Sequence, residues 1–343
     1  MALLGYGLAG AVFHAPLIAA VKGLELAAIV TRDEERRARA GRDHPGATLL
    51  DSDEQVWEHS ADFDLAVVAS PNRTHVPFAR AAIEAGLPVV VDKPLAPTAG
   101  EARGLIDDAR SRGVMLTVFQ NRRWDGDFLT VRRLLEQGGI GRVARMESRF
   151  DRWRPELAGG WRELGDPNEA GGLLYDLGSH LVDQALVLFG LVDDVYAELD
   201  VRRPGAQVDD DVFVALGHAS GVRSHLWMTA VAAVPAPRFR LLGDRAAYVK
   251  QGIDIQEGLL RDGARPGGPG WGAEPEKQWG VLGVGADLRP VPTEAGAYQR
   301  FYEGVVEALR GGPPPVHPAE VVAALEVLEA ARTSGRERRV VSL

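Results

Sequence analysis

The chain has 343 residues, more than one ordinary hydrophobic core uses and a comfortable length for two domains. It is 45% hydrophobic and 25% charged, with glycine and proline dispersed, so a folded globular protein is expected; having no cysteine, it can form neither disulfides nor thiolate or Cys-zinc sites. A formal charge of −9 speaks against nucleic acid and anionic membranes as partners, and the short arginine group at Arg36, Arg37 and Arg39 reads as a solvated helix face.

In chain order, residues 2–4, 24–30, 48–50, 64–69, 88–91 and 114–119 read as short apolar strands. Helices are expected between them at 34–40, 74–85 and 99–112, with Gly86 and Gly113 as C-terminal caps. This alternation describes an N-terminal α/β domain, a doubly wound parallel Rossmann sheet at 1–121. Only four residues precede Gly5, so either a shortened first strand or a misplaced start is expected. From 122 to 343 the pattern becomes α+β: helices at 128–137 and 172–189, and strands at 142–152, 192–201, 211–217, 222–229, 238–242 and 246–250. Short turns between several of these strands favour an open, mainly antiparallel sheet. Residues 251–296 are rich in glycine and proline and show no period, which reads as a long loop; helices at 298–309 and 318–333 and a strand at 339–342 follow. No apolar run approaches the roughly 20 residues of a membrane span, and the glycine turn at the start leaves no room for a signal segment. A cytoplasmic location is expected.

Gly5-Tyr6-Gly7-Leu8-Ala9-Gly10 fits G-x-G-x-x-G between an apolar strand and a helical stretch. The first glycine permits the tight turn, the second lets a pyrophosphate approach the backbone, and the third lets the helix pack on the strand. Leu8 and Ala9 belong to the same turn. Where the second strand ends, an NAD site usually has an acid; this chain has Thr31-Arg32. A guanidinium and a hydroxyl suit a 2′-phosphate, so NADP is the expected cofactor. NAD stays open as the alternative in which Asp33 receives the ribose, although Asp33 also stands where a helix N-cap would.

Ala69-Ser70-Pro71-Asn72-Arg73-Thr74-His75, followed by Asp92-Lys93-Pro94-Leu95, resembles the Gfo/Idh/MocA oxidoreductase family. A second segment, Gly171-Gly172-Leu173-Leu174-Tyr175-Asp176-Leu177-Gly178-Ser179-His180, resembles the family's stretch with a catalytic aspartate and histidine. The likeness extends to Gln120-Asn121-Arg122-Arg123-Trp124 and to terminal helices, at about 298–333, that pack back on the nucleotide domain. Within the family, Phe13-His14-Ala15-Pro16 and Gly252-Ile253-Asp254-Ile255-Gln256-Glu257 look most like the NADP-dependent scyllo-inositol dehydrogenase branch. The resemblance implies that Lys93 reaches the reacting carbon, with Asp92 standing where the family has Glu. It also implies that Asp176 and His180 complete a catalytic triplet, and that Ser70, Asn72 and His75 lie against ribose and nicotinamide. Asn72 has a competing reading as a helix N-cap.

Asp176 and His180 are four apart on an expected helix, hence neighbours on one face. His180 can exchange a proton near neutral pH, Lys93 can stabilise alkoxide character, and Asp176 can bias the pair's protonation. A buried helix histidine, a helix acid and a solvated lysine are the plainer alternatives. Arg123, Trp124, Trp153, Trp161 and Arg162 are candidates to line a sugar-sized pocket, because indole faces suit sugar C–H faces and arginines donate to hydroxyls. The remaining histidines show no ligand spacing, so no metal is expected.

The expected activity is hydride transfer between NADP and a polyol, cyclitol or sugar carbon. The alternatives are a reductase of a non-sugar carbonyl or dihydrodiol, and a non-catalytic dinucleotide-binding regulator. The resemblance further implies a homodimer or homotetramer paired through the open sheet.

Overall fold

Six short strands build the first sheet: β1 (Ala2–Leu4), β2 (Ala28–Val30), β3 (Thr48–Leu50), β4 (Ala66–Val68), β5 (Val89–Asp92) and β6 (Leu116–Phe119). All side chains of β1, β2, β4 and β6 are buried, as apolar runs without alternation require when helices cover both faces of a parallel sheet. The strands lie in the order β3-β2-β1-β4-β5-β6, each parallel to its neighbours. The order therefore reverses between β1 and β4, and the crevice beyond the carboxyl ends of those strands is where such sheets bind ligands. Helix Ala99–Arg112 begins at Thr98, whose side chain accepts from Glu101 N–H, and ends at Gly113 with φ of 66°.

The computed structural model describes residues 1–157, 159, 163, 165 and 169–343. They fall into two units: Met1–Asn121, Gln256–Trp271 and Ala297–Val322 form one, and Arg122–Ile255, Gly272–Gly296 and Ala323–Leu343 the other. No helix among the described residues is long and apolar enough to cross a membrane.

The second unit is built on nine strands: β7 (Val143–Asp151), β8 (Val192–Asp200), β9 (Asp211–His218), β10 (Arg223–Thr229), β11 (Phe239–Gly243), β12 (Ala247–Lys250), β13 (Gly280–Val284), β14 (Asp287–Val291) and β15 (Val341–Ser342). Their order is β14-β13-β12-β11-β7-β10-β9-β8-β15; β7 and β10 run parallel and the other neighbours antiparallel. Burial alternates along β9 and β10, which places Val212, Val214, Leu226 and Met228 on the covered face.

Residues 251–296, expected as a loop, contain helix Gln256–Arg261 and the hairpin β13–β14. The hairpin escapes a periodicity reading because crowding has put glycine at two of its positions. A Cβ on Gly280 would collide with the Tyr248 ring, and one on Gly283 with the Asp287 carbonyl oxygen.

Helix Ser179–Phe189 is fixed from below by a buried polar network. Arg238, 1% exposed, stacks between Phe150 and Phe239 at 4.3 and 4.0 Å. Its guanidinium donates to Gln184 Oε1 at 2.8 Å and to Ser148 Oγ, and pairs with the buried Asp127 carboxylate at 3.3 Å. Gln184 in turn donates to Arg122 O at 2.8 Å, so one side chain on the helix binds partners on two other segments. Removing one partner of a buried ion pair strands the other charge. Arg238→Met is expected to lower stability by about 3–5 kcal/mol in urea denaturation, and adding Asp127→Asn to recover part of the loss; a deficit under about 1 kcal/mol would contradict this account.

Candidate active site

At the end of β1 the backbone turns at Gly5 with φ of 102°, and a Cβ there would lie 2.6 Å from Ala69 O, the residue following β4. A Cβ on Gly10 would collide with the Gly5 carbonyl oxygen, so the helical stretch beginning near Ala9 packs directly on the turn. Gly7 differs: a Cβ there would meet only the Arg36 guanidinium, at 3.8 Å. Two glycines are thus demanded by packing, and the third leaves backbone open to a ligand, which is the division of labour a pyrophosphate cradle needs. The helix opens as a π turn over Ala9–His14 before continuing as Ala15–Ala20. Tyr6, inside the turn, donates to Asp43 at 3.1 Å, and burial together with that carboxylate raises its phenol pKa.

After β2, Thr31 is buried and Arg32 is exposed, its Nε donating to Asp51 O at 3.0 Å. Asp33 caps helix Glu34–Asp43 by accepting from Arg36 N at 2.9 Å. Arg37 is committed to β3 and its end, through Leu49 O at 3.0 Å and Asp51 Oδ1 at 2.6 Å. Arg36 is exposed, as a solvated helix face requires, and its guanidinium also comes within 3.8 Å of where a Cβ on Gly7 would lie. The signal that finds it is helical spacing, since the third residue after a cap at Asp33 turns back toward the preceding strand end.

After β4, Ser70 Oγ donates to Thr74 Oγ1 at 2.6 Å, which donates to Pro71 O at 2.7 Å. Asn72, 5% exposed, opens the short 3₁₀ turn Asn72–Thr74 and is not the N-cap of helix His75–Glu84. His75 is 1% exposed, with Nδ1 2.7 Å from Pro94 O and Nε2 2.9 Å from Ser70 O. Lys93 follows β5, its backbone N–H donating to Asp92 Oδ1 at 2.8 Å, and the Lys93–Pro94 peptide is cis. Gly5, Gly7, Leu8, Ala9, Gly10, Thr31, Arg32, Ser70, Asn72, His75 and Lys93 therefore gather at the carboxyl ends of β1, β2, β4 and β5.

In the second unit, Asp176 lies in the π turn Leu174–Gly178 and His180 in the first turn of Ser179–Phe189. Widened turns of this kind re-aim side chains and recur at functional sites. Asp209 supplies what a local cap does not: Oδ2 accepts from Leu174 N at 2.7 Å and its carbonyl from Leu173 N at 2.9 Å. Gly172, at φ of 92°, has no space for a Cβ beside that carboxylate. Burial raises the Asp209 pKa, while the Leu174 N–H and Arg332 oppose the rise.

Arg152, Arg154, Asp176, Asp209 and Thr229 line a cavity of about 240 Å³. Of the expected pocket residues, the described ones, Arg123, Trp124 and Trp153, do not line this cavity. Arg123 makes a two-point ion pair with Asp183 at 2.8 and 2.6 Å, Trp124 ends a 3₁₀ turn, and Trp153 is 57% exposed in a bridge with Val231. Trp161 and Arg162 lie outside the described residues. Arg152 and Arg154 went unnoticed although they are two apart at the end of β7, a spacing that puts extended residues on one side.

A parallel sheet whose order reverses beside an open glycine cradle is the arrangement of a dinucleotide-binding protein. Residues 1–120 match the model of the oxidoreductase family with an NAD-binding Rossmann fold, and residues 128–249 match the GFO/IDH/MocA C-terminal domain. The chain belongs to the GFO/IDH/MocA family. It is 40% identical to the uncharacterized oxidoreductase YdgJ of Escherichia coli, over 99% of this chain and 97% of that one. It is 34% identical to the scyllo-inositol 2-dehydrogenase (NADP(+)) IolW of Bacillus subtilis, over 99% of this chain and 95% of that one. Among solved structures, the putative oxidoreductase yvaA from Bacillus subtilis superposes with a TM-score of 0.93 at 34% identity, covering 100% of this chain and 97% of that one.

The Asp209 environment has a measurable consequence. A carboxyl whose pKa is higher in the folded than in the unfolded chain holds its proton more tightly when folded, so its contribution is complete below 3.8 and is lost as pH rises through the raised value. Asp209→Asn keeps an acceptor for Leu174 N–H and has no charge to bury. Its thermal midpoint relative to the parent is expected to improve as pH is raised from about 4 to about 7; a constant difference across that window would contradict the assignment.

Proposed function

We propose that the chain is an NADP-preferring dehydrogenase that moves hydride between nicotinamide C4 and a carbon of a polyol, cyclitol or sugar. The observation that carries the reading is the open backbone at Gly7 with the Arg36 guanidinium above it. With Arg32 at the end of β2 it offers two cations, and Asp33, the acid that would serve a ribose diol, is engaged in capping. Guanidinium groups answer a 2′-phosphate in this position, and Thr31 adds a hydroxyl. The substrate class is supported by the name of IolW and by a cavity whose carboxylates and arginines can each take hydroxyl groups.

A bound nicotinamide supplies or accepts the hydride. The chain's own residues manage the proton and the charge. Lys93 hydrogen-bonds the reacting oxygen and stabilises it as it gains alkoxide character. His180 takes the proton in oxidation and returns it in reduction, with Asp176 biasing the imidazole toward its charged form. Arg152 and Arg154, rather than Arg123, face substrate hydroxyls in this reading.

Arg32→Ala and Arg36→Ala are each expected to weaken NADPH about 10- to 100-fold in fluorescence titrations, the range of a charged hydrogen bond, and NADH by less than about 3-fold. Equal weakening of both would overturn the cofactor choice. On the best substrate of a polyol and aldose panel, Lys93→Ala and His180→Ala should each lower kcat by at least about 100-fold. NADPH binding without turnover anywhere in the panel would make the chain a non-catalytic regulator, and turnover confined to non-sugar carbonyls or dihydrodiols would move the substrate class.

A further inference from the structure

We propose that His75 is a positioning residue, a rigid brace that sets where Lys93 is held. The inference rests on reading Lys93 as the residue that meets the reacting oxygen. The His75 ring spans two turns of the first unit: Nδ1 is 2.7 Å from Pro94 O, the carbonyl of the residue after Lys93, and Nε2 is 2.9 Å from Ser70 O. Imidazole has no internal rotation, so the carbonyl that accepts from its N–H and the one packed against its other nitrogen lie at a separation that the ring fixes. Ser70 belongs to the turn seated against the glycine cradle, since a Cβ on Gly5 would lie 3.0 Å from Ser70 Cα. One ring therefore couples the floor of the nucleotide site to the turn that presents Lys93.

The other side of that turn is held independently, by Lys93 N–H donating to Asp92 Oδ1 at 2.8 Å. Behind the brace the packing is closed. His14 packs tilted against Phe119 with centroids 4.3 Å apart, and its Nδ1 meets the Tyr302 hydroxyl at 2.6 Å. Burial and the neighbouring His75 lower the His14 pKa to about 4 against the pull of Asp92, so its ring is uncharged at neutral pH. Both polar atoms of His75 are occupied by main-chain oxygens, so its part is played through the backbone and not by touching the nucleotide.

The test uses the intact chain, which has only four lysines: Lys22, Lys93, Lys250 and Lys277. With ¹³C-labelled lysine, Lys93→Arg identifies the Lys93 resonance. In cofactor-free His75→Leu that resonance should shift or broaden while the other three hold still. His75→Asn, whose amide nitrogen reaches the Nδ1 position and the Pro94 carbonyl, should restore it; His75→Gln, which reaches toward Ser70 O, should restore it less. With NADP and the best panel substrate, His75→Leu should lose about 10- to 100-fold in kcat and show a larger deuterium isotope effect on hydride transfer. NADPH affinity should stay within about 3-fold.

An NADPH Kd that rises in step with the loss of kcat would make His75 a cofactor ligand and overturn the proposal. So would an unmoved Lys93 resonance, or a general spectral change with a lowered Tm that His75→Asn does not rescue. If Lys93→Ala retains full kcat, the catalytic reading of Lys93 fails while the resonance result still decides the brace.

Discussion

The nucleotide end of this molecule depends on two missing Cβ atoms. β1 and β4 are adjacent and parallel, and the chain leaving β1 must turn within the space left by the chain leaving β4. At Gly5 that space is bounded by Ala69 O, and at Gly10 by the carbonyl of Gly5 itself. Any side chain at either position would push the helix off the strand or the turn off its neighbour. Because both are glycine, the turn sits low, Gly7 faces outward, and the cations at Arg32 and Arg36 stand at the rim. The cofactor reading and the position of the Ser70 turn follow from that one steric fact. The placement of Lys93 follows through the His75 ring.

The second unit is organised by charge as much as by apolar burial. Helix Ser179–Phe189 carries His180 on its first turn, and further along it carries Asp183 and Gln184, whose partners are Arg123, Arg238 and the Arg122 carbonyl. A buried cation, Arg238, and a part-buried one, Arg123, near one helix are costly unless their hydrogen bonds are met. Here Asp183 accepts from Arg123, Gln184 and Ser148 accept from Arg238, and Asp127 balances its charge, and in doing so they specify the roll of the helix more narrowly than packing of Leu181 and Ala185 would. At the other end, Asp209 holds the opening π turn by accepting from Leu174 N–H across 35 positions of sequence.

Much of this was legible from residues alone. Apolar runs such as Val89-Val90-Val91, alternating with helical stretches, announce parallel strands because both faces of such a sheet are covered. Asp33, Thr98, Gly86 and Gly113 announce helix ends because their chemistry answers orphaned backbone groups or a positive φ. The hairpin β13–β14 was hidden for the converse reason: glycines required by crowding from Tyr248 and Asp287 erased the alternation on which a strand reading relies. Asp209 and Arg238 were hidden because their partners are remote in sequence, and no local pattern records a contact across dozens of residues.

His75 and Arg123 show why a matching motif does not fix what a side chain does. Both stand in segments that resemble the family, and both were expected to touch a ligand. Yet a side chain has a finite set of polar atoms: the two nitrogens of His75 face Ser70 O and Pro94 O, and two guanidinium nitrogens of Arg123 face Asp183. Atoms spent on internal partners in a buried setting are released only at the cost of leaving those partners unsatisfied. Resemblance identifies which segments matter; the hydrogen bonds show which polar atoms in them already have partners inside the protein.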